Sequence, residues 1–205
     1  MKKMIVCGLW AMCINPVLAT EGLVRPYVGG SINYNLVSFS SDVDEAMSYY
    51  GINLSKGYFG FGLEGGIKFG DEKNIWNGGL SFAYDYIFDS SASVSNIYID
   101  EVKTGFSAWN IGFDNYIRVG KEKGKRYDLI LGLGLGQATE RVHITGSGIT
   151  EDYSDNGGVF VLKFGTNIQL NDQFDWYTSI RLFNPTKTGD VENIISVQTG
   201  VKFNF

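Results

Sequence analysis

Eight charged residues placed inside apolar-rich segments are the first candidates for chemistry. They are the acids Glu64, Asp85 and Asp114 and the bases Lys68, Arg118, Lys163, Arg181 and Lys202. Such a mixture suits ion pairing: an opposite pair 4 Å apart at an effective dielectric of 20 gains about 4 kcal/mol, much of it offset by desolvation. One reading is a structural network that fills an interior, and another is a narrow path for a cation or small solute, gated by rearranged pairs. His143 is the single histidine, and Glu140, Glu151 and Asp152 lie close enough in sequence to orient it as a base. The only cysteines, Cys7 and Cys13, fall in the N-terminal leader described below. Soft metal ligands are therefore lacking, and the sequence calls for no cofactor, no metal and no catalytic residue.

The elements that must position these charges are read from alternation, because successive side chains of a strand face opposite sides. The first run sets Val28, Ile32, Tyr34 and Leu36 against Ser31, Asn33 and Asn35, and the second sets Phe59, Phe61 and Leu63 against Gly60, Gly62, Glu64 and Lys68. In the third, Leu80, Phe82, Tyr84 and Tyr86 oppose Ser81, Ala83 and Asp85; in the fourth, Trp109, Ile111 and Phe113 oppose Asn110, Gly112, Asp114 and Arg118. Leu129, Leu131, Leu133 and Leu135 interleave with Gly132, Gly134 and Gly136, a spacing no helical face produces. These glycines do not form a dinucleotide fingerprint, since the third-glycine spacing and a following helix are missing. Three further runs place Lys163, then Arg181, then Lys202 on the face opposite the apolar residues.

The connections alternate long and short: 37–56, 70–75, 89–104, 120–126, 139–156, 171–173, with 184–192 intermediate. Long external loops, short periplasmic turns and an even strand number are the rhythm of an outer-membrane barrel. The predicted fold is all-β: an eight-stranded antiparallel up-and-down transmembrane β-barrel with both termini in the periplasm. A soluble lipocalin-type barrel would turn the apolar face inward around a ligand. The charges on the polar face are too many for an apolar pocket, and aromatic residues gather near the strand ends as membrane girdles do.

Residues 1–19 read as a cleavable signal peptide: Lys2 and Lys3, an apolar run from Met4 to Ile14, and small residues around Ala19. Residues 20–205 form one barrel domain, reached by Sec-type export. With Lys2 and Lys3 removed from the 17 basic residues, 15 remain against 22 acidic, a net charge of −7 that argues against nucleic acid as a partner. The mean hydropathy is −0.04, and beyond residue 19 no stretch approaches the roughly 20 apolar residues of a membrane helix. The long connections carry Asp42, Asp44, Glu45, Asp89, Asp100, Glu101, Glu151, Asp152, Asp155, Asp190 and Glu192, a solvated and ligand-accessible composition.

Taken with the leader and the eight runs, the opening Arg25-Pro26-Tyr27-Val28-Gly29-Gly30 and the closing Val201-Lys202-Phe203-Asn204-Phe205 resemble the OmpA-like and opacity-type outer-membrane barrel superfamily, a porin-like group. The resemblance spans the mature sequence and implies a cell-surface protein of a Gram-negative outer membrane. It implies contact with outer-membrane lipids and lipopolysaccharide, and an assembly machinery that recognises the last strand through Val201, Phe203 and Phe205. The chain differs from full-length OmpA in having nothing after Phe205, so a wall-tethering role is not implied. The lipid A deacylase family shares this fold and uses a His followed two positions later by Ser. Here that position is Thr145, and Val142, Ile144, Gly146 and Gly148 do not match the deacylase surroundings.

The expected function is therefore a non-enzymatic outer-membrane surface protein with a structural or interaction and adhesion role. A small plugged barrel would present the external loops to a surface ligand. A narrow porin-like channel is the alternative, and a lipid A-modifying enzyme centred on His143 comes third.

Overall fold

The computed structural model describes residues 24–53, 55–70, 74–94, 99–122, 125–186 and 190–205; the leader read at 1–19 lies outside them. Eight strands follow one another: β1 (Val24–Phe39), β2 (Gly57–Phe69), β3 (Trp76–Ser93), β4 (Ile99–Glu122), β5 (Lys125–Gly146), β6 (Ile149–Gln169), β7 (Phe174–Pro185) and β8 (Val191–Asn204). Each pairs antiparallel with the next, and β1 closes on β8 from Tyr27↔Asn204 to Phe39↔Val191, so the sheet is a closed barrel without an edge along its wall. Among the described residues no helix is long and apolar enough to cross a membrane; the crossing elements are the strands.

The alternation decides the orientation of the wall. Leu135 is 68% exposed on the outside, whereas Lys202, on the other parity, is 0% exposed inside. Ile32, Phe59, Leu63, Ile111, Leu133 and Phe164 share the outer face. An apolar outside around a charged inside inverts a water-soluble barrel, and only a hydrocarbon surround makes it favourable. At the end of the barrel that carries the C-terminus, Phe174, Phe203 and Phe205 stack edge to face at 5.3 and 5.0 Å, and Trp76 and Trp176 are exposed at the same end.

The external side differs from the expected loops. The β5–β6 ladder runs unbroken to Gly146↔Ile149, so 139–156 is a hairpin and not a loop. Its two-residue tip is Ser147-Gly148, with Gly148 at φ 81°, the left-handed region that glycine enters without strain. β3 and β4 likewise pair across Ser90↔Thr104 to Ser93↔Glu101, within the expected loop 89–104. A segment rich in Ser, Thr, Asp and Asn reads as loop by composition, and cross-strand pairing makes it a strand all the same. Within 37–56 the chain forms α1 (Ser41–Tyr49), a nine-residue helix with Asp42 and Asp44 in its first turn, where the helix dipole favours negative charge.

Candidate functional site: the filled lumen and its external rim

The inward row of β2 sets the levels of the interior: Tyr58 toward the outside, then Glu64, then Lys68 toward the periplasm. At the middle level Glu64 is the hub. One carboxylate oxygen accepts from the Tyr27 hydroxyl at 2.8 Å, from Lys202 Nζ at 2.7 Å and from Lys163 Nζ at 3.1 Å. The other accepts from Lys163 Nζ at 2.9 Å and from the Arg181 guanidinium. Arg181 also donates to Asp85 at 3.0 Å, Lys163 to Asp114 at 3.0 Å, and the Gln198 amide to Asp85 at 2.6 Å. Three carboxylates from β2, β3 and β4 thus meet three cations from β6, β7 and β8, so the cluster is neutral although every member is buried. Neutrality and multiple bonds are what make charges tolerable away from water.

Around Lys202 stand three tyrosines, with Nζ 4.5 Å from the Tyr27 ring centroid, 4.8 Å from that of Tyr177 and 5.7 Å from that of Tyr116. The ring faces supply cation–π attraction where water cannot. Gly132 makes the packing possible: a Cβ there would collide with the Asp114 carboxylate and come within 3.2 Å of Lys163 Cβ.

One level down, Lys68 pairs with Asp175, which also accepts from Asn167 at 3.1 Å, and Lys68 donates to Asn204 at 3.2 Å. Near the periplasmic rim Arg126 pairs with Asp128 at 2.6 Å. Arg118 stands apart. It is opposite Asp128 in the β4–β5 register, but that carboxylate is engaged by Arg126; among the described residues Arg118 forms no ion pair, and its Nε has no hydrogen-bond partner. Sequence reasoning named seven of the paired charges and missed Asp175, Arg126 and Asp128, together with Tyr27, Tyr116, Tyr177 and Gln198. Strand parity was the available signal, since Asp175 shares a face with Tyr177 and Arg181.

The outer half of the lumen is apolar. Val37, Phe39, Tyr58, Ile87, Val102, Phe106, Val159, Val161, Phe183 and Ile194 form one buried cluster, and Val43, Met47 and Ile52 of the first external connection pack onto it. The sequence pattern called for polar or small inward residues that include charges, and the inward Val37, Val161 and Phe183 add an apolar layer to them. An eight-stranded barrel is narrow enough for side chains from opposite walls to meet.

Above the wall, His143 and Asp152 are register partners on the β5–β6 hairpin, and His143 Nδ1 hydrogen-bonds the Asp152 carboxylate. Arg141 reaches Ser107 at 3.2 Å and Asp89 at 3.4 Å across β4 and β3. Beside the apolar cluster Glu140 is 4% exposed, and burial, with Asp190 and Asp155 nearby, pushes its carboxyl up to about 7.

A family model for the outer membrane protein beta-barrel domain matches residues 5–205. The chain belongs to that family. It is a β-barrel of the cell outer membrane. Among solved structures, Ail, the attachment invasion locus protein of Yersinia pestis, superposes with a TM-score of 0.51 at 17% identity over 90% of this chain and 99% of that one. Ail in complex with the heparin analogue sucrose octasulfate gives 0.52 at 15% identity over 90% and 99%. Neisserial surface protein A gives 0.48 at 14% identity over 88% and 97%. At these identities the likeness is one of fold. Among curated proteins none matches this sequence.

Proposed function

We propose that this barrel is a plugged, non-enzymatic display scaffold whose external sheet binds an extended, basic segment of a surface partner. The observation that carries this reading is a difference in ladder length: β5–β6 pairing continues to Gly146↔Ile149, whereas β6–β7 pairing stops at Val159↔Pro185. Among the described residues, 149–157 therefore form a strand with one side open. The Gly158 carbonyl accepts the Thr186 N–H from the β7 side. Alternation then turns the backbone groups of Thr150, Asp152, Ser154 and Asn156 to that same side. Such an edge is a template for an added strand. Glu151, Asp152, Tyr153 and Asp155 along it are exposed, so the charge complement is a basic strand. Ail has been solved with a sulfated heparin analogue, and a polyanion of that kind would meet repulsion on this acidic edge.

The apolar cluster in the outer lumen favours a plug over a channel. The engagement of His143 with Asp152, on an exposed hairpin, favours binding over catalysis. The outward face accommodates outer-membrane lipids, with lipopolysaccharide on the external side, and the outward Val201, Phe203 and Phe205 on the closing strand fit the role of an assembly signal.

The test immobilises the protein in phospholipid nanodiscs and passes over it a decapeptide of alternating lysine and threonine. Wild type is expected to bind it in a salt-sensitive manner. Ser154→Pro, which removes an edge N–H without touching the β5 ladder, should lose binding, and Asp155→Asn with Glu151→Gln should weaken it. Equal binding by Ser154→Pro, or stronger binding of sucrose octasulfate than of the peptide, refutes the reading.

A further inference from the structure

Glu140 has no role in the plug, the wall or the open edge, yet its surroundings are unusual. It lies on the inward row of β5 between Ala138 and Val142, both part of or packed on the apolar cluster. Its cross-strand neighbours are Phe106 on β4 and Asp155 on β6. It makes no hydrogen bond or ion pair among the described residues although it is 4% exposed. Like charges directly opposite each other on a sheet repel, and here a third carboxylate, Asp190, approaches from the connection before β8. From β2 comes the Tyr58 phenol, held by the Thr104 hydroxyl of β4 at 2.8 Å, and from α1 only Val43 and Met47 pack on the cluster. No described element brings a cation to this carboxylate. The position is also strategic. The Asp190 carbonyl accepts the Ser40 N–H that leads into α1, so the carboxylates stand where the helix, β8 and the protruding hairpin meet.

We infer that Glu140 is a proton-operated latch at the foot of the external hairpin. With a proton bound it is a neutral side chain that the apolar cluster accepts, and the hairpin stays docked. Without the proton it is a buried anion facing two others, and the foot of the hairpin, residues 138–142 with 155–157, opens more often. No bond is made or broken beyond the O–H of one carboxyl group, whose proton exchanges with external water.

The direction with pH follows from burial. A carboxyl held above its ordinary range favours the protonated closed form, so docking is tightest in acid. It weakens as pH climbs from the ordinary value of 4.5 and levels off above about 7. The latch therefore loosens toward neutral pH, and it does so whether or not a partner occupies the β6 edge.

Hydrogen exchange of the full chain in nanodiscs, corrected for intrinsic rates, reads the opening directly. In wild type the opening constant of amides 138–142 and 155–157 should rise roughly fiftyfold between pH 5 and 7.5, while amides of the wall, such as 129–135, stay flat. Glu140→Gln should hold the foot of the hairpin at the low-pH level throughout. Equal pH dependence in the two proteins, or none in wild type, overturns the proposal. Because Glu140→Gln could fail to fold, a carbon-13 titration of the Glu140 carboxyl in wild type decides independently: a midpoint near 7 supports the latch and one near 4.5 overturns it. Asp155→Asn, which removes one repelling charge, should lower that midpoint, and an unmoved midpoint counts against it.

Discussion

Replacing Glu64 by Gln is the most direct challenge to the energetics of the filled lumen. The substitution keeps the shape of the side chain and an acceptor for the Tyr27 hydroxyl, but it deletes the charge that Lys202 approaches at 2.7 Å and Lys163 at 2.9 Å. At an effective dielectric of 20 the Lys202 contact alone is worth about 6 kcal/mol before desolvation. The carboxylate's own desolvation offsets a large part of this, and what remains after its removal is three buried cations facing only Asp85 and Asp114. The expected loss is about 3–5 kcal/mol, the cost of breaking a buried ion pair from one side. Equilibrium urea unfolding in phospholipid vesicles, followed by tryptophan fluorescence and by the mobility shift of unboiled against boiled samples, measures it. Adding Lys202→Met to Glu64→Gln restores neutrality, and the pair should be coupled by about 2 kcal/mol or more. A loss below about 1 kcal/mol, the scale of an exposed surface pair, or strict additivity of the two substitutions, would refute the hub.

Three other outcomes can be checked with the same preparations. Gly136→Ala places a Cβ against the Trp109 carbonyl and 2.6 Å from Asn110 Cα, so it should cost about 1–3 kcal/mol in urea unfolding, whereas Gly30→Ala, with nothing nearer than 3.9 Å, should stay within about 0.5 kcal/mol of wild type. Arg181→Gln breaks two ion pairs of the central cluster but leaves the apolar cluster intact, and its conductance in planar bilayers should remain at baseline; discrete channel openings would revive the gated-path reading. Deleting Phe205 removes an outward, half-exposed ring at the end of the closing strand, so assembly into vesicles carrying the assembly machinery should slow while the unfolding midpoint of the folded barrel moves little; unchanged assembly kinetics would sink the signal.

The sequence by itself determined the strand number, the order and the two faces of every wall segment, because a pleated strand turns alternate residues to opposite sides and the Leu129–Gly136 run admits no other period. It also placed Glu64, Lys68, Asp85, Asp114, Lys163, Arg181 and Lys202 on a common polar face. Alternation alone did not decide which face is inside, since a lipocalin-type barrel and a membrane barrel share it; the number of charges on the polar face pointed to the membrane barrel, and the closed wall bears that out with Leu135 outside and Lys202 within. Which charges meet is a matter of register and level around the closed ring. Glu64 is 138 residues from Lys202 and meets it because closure of the ring sets both beside Gly29 of β1, while Arg118 finds its opposite carboxylate already engaged by Arg126. The external sheet escaped because its Ser, Thr, Asp and Asn content reads as loop, although Val142 and Ile144 alternate on one face and Ser147-Gly148 stands between β-branched pairs. The apolar outer plug and the isolation of Glu140 required the tertiary structure, because each depends on side chains from four or more strands converging where no single stretch of sequence brings them together.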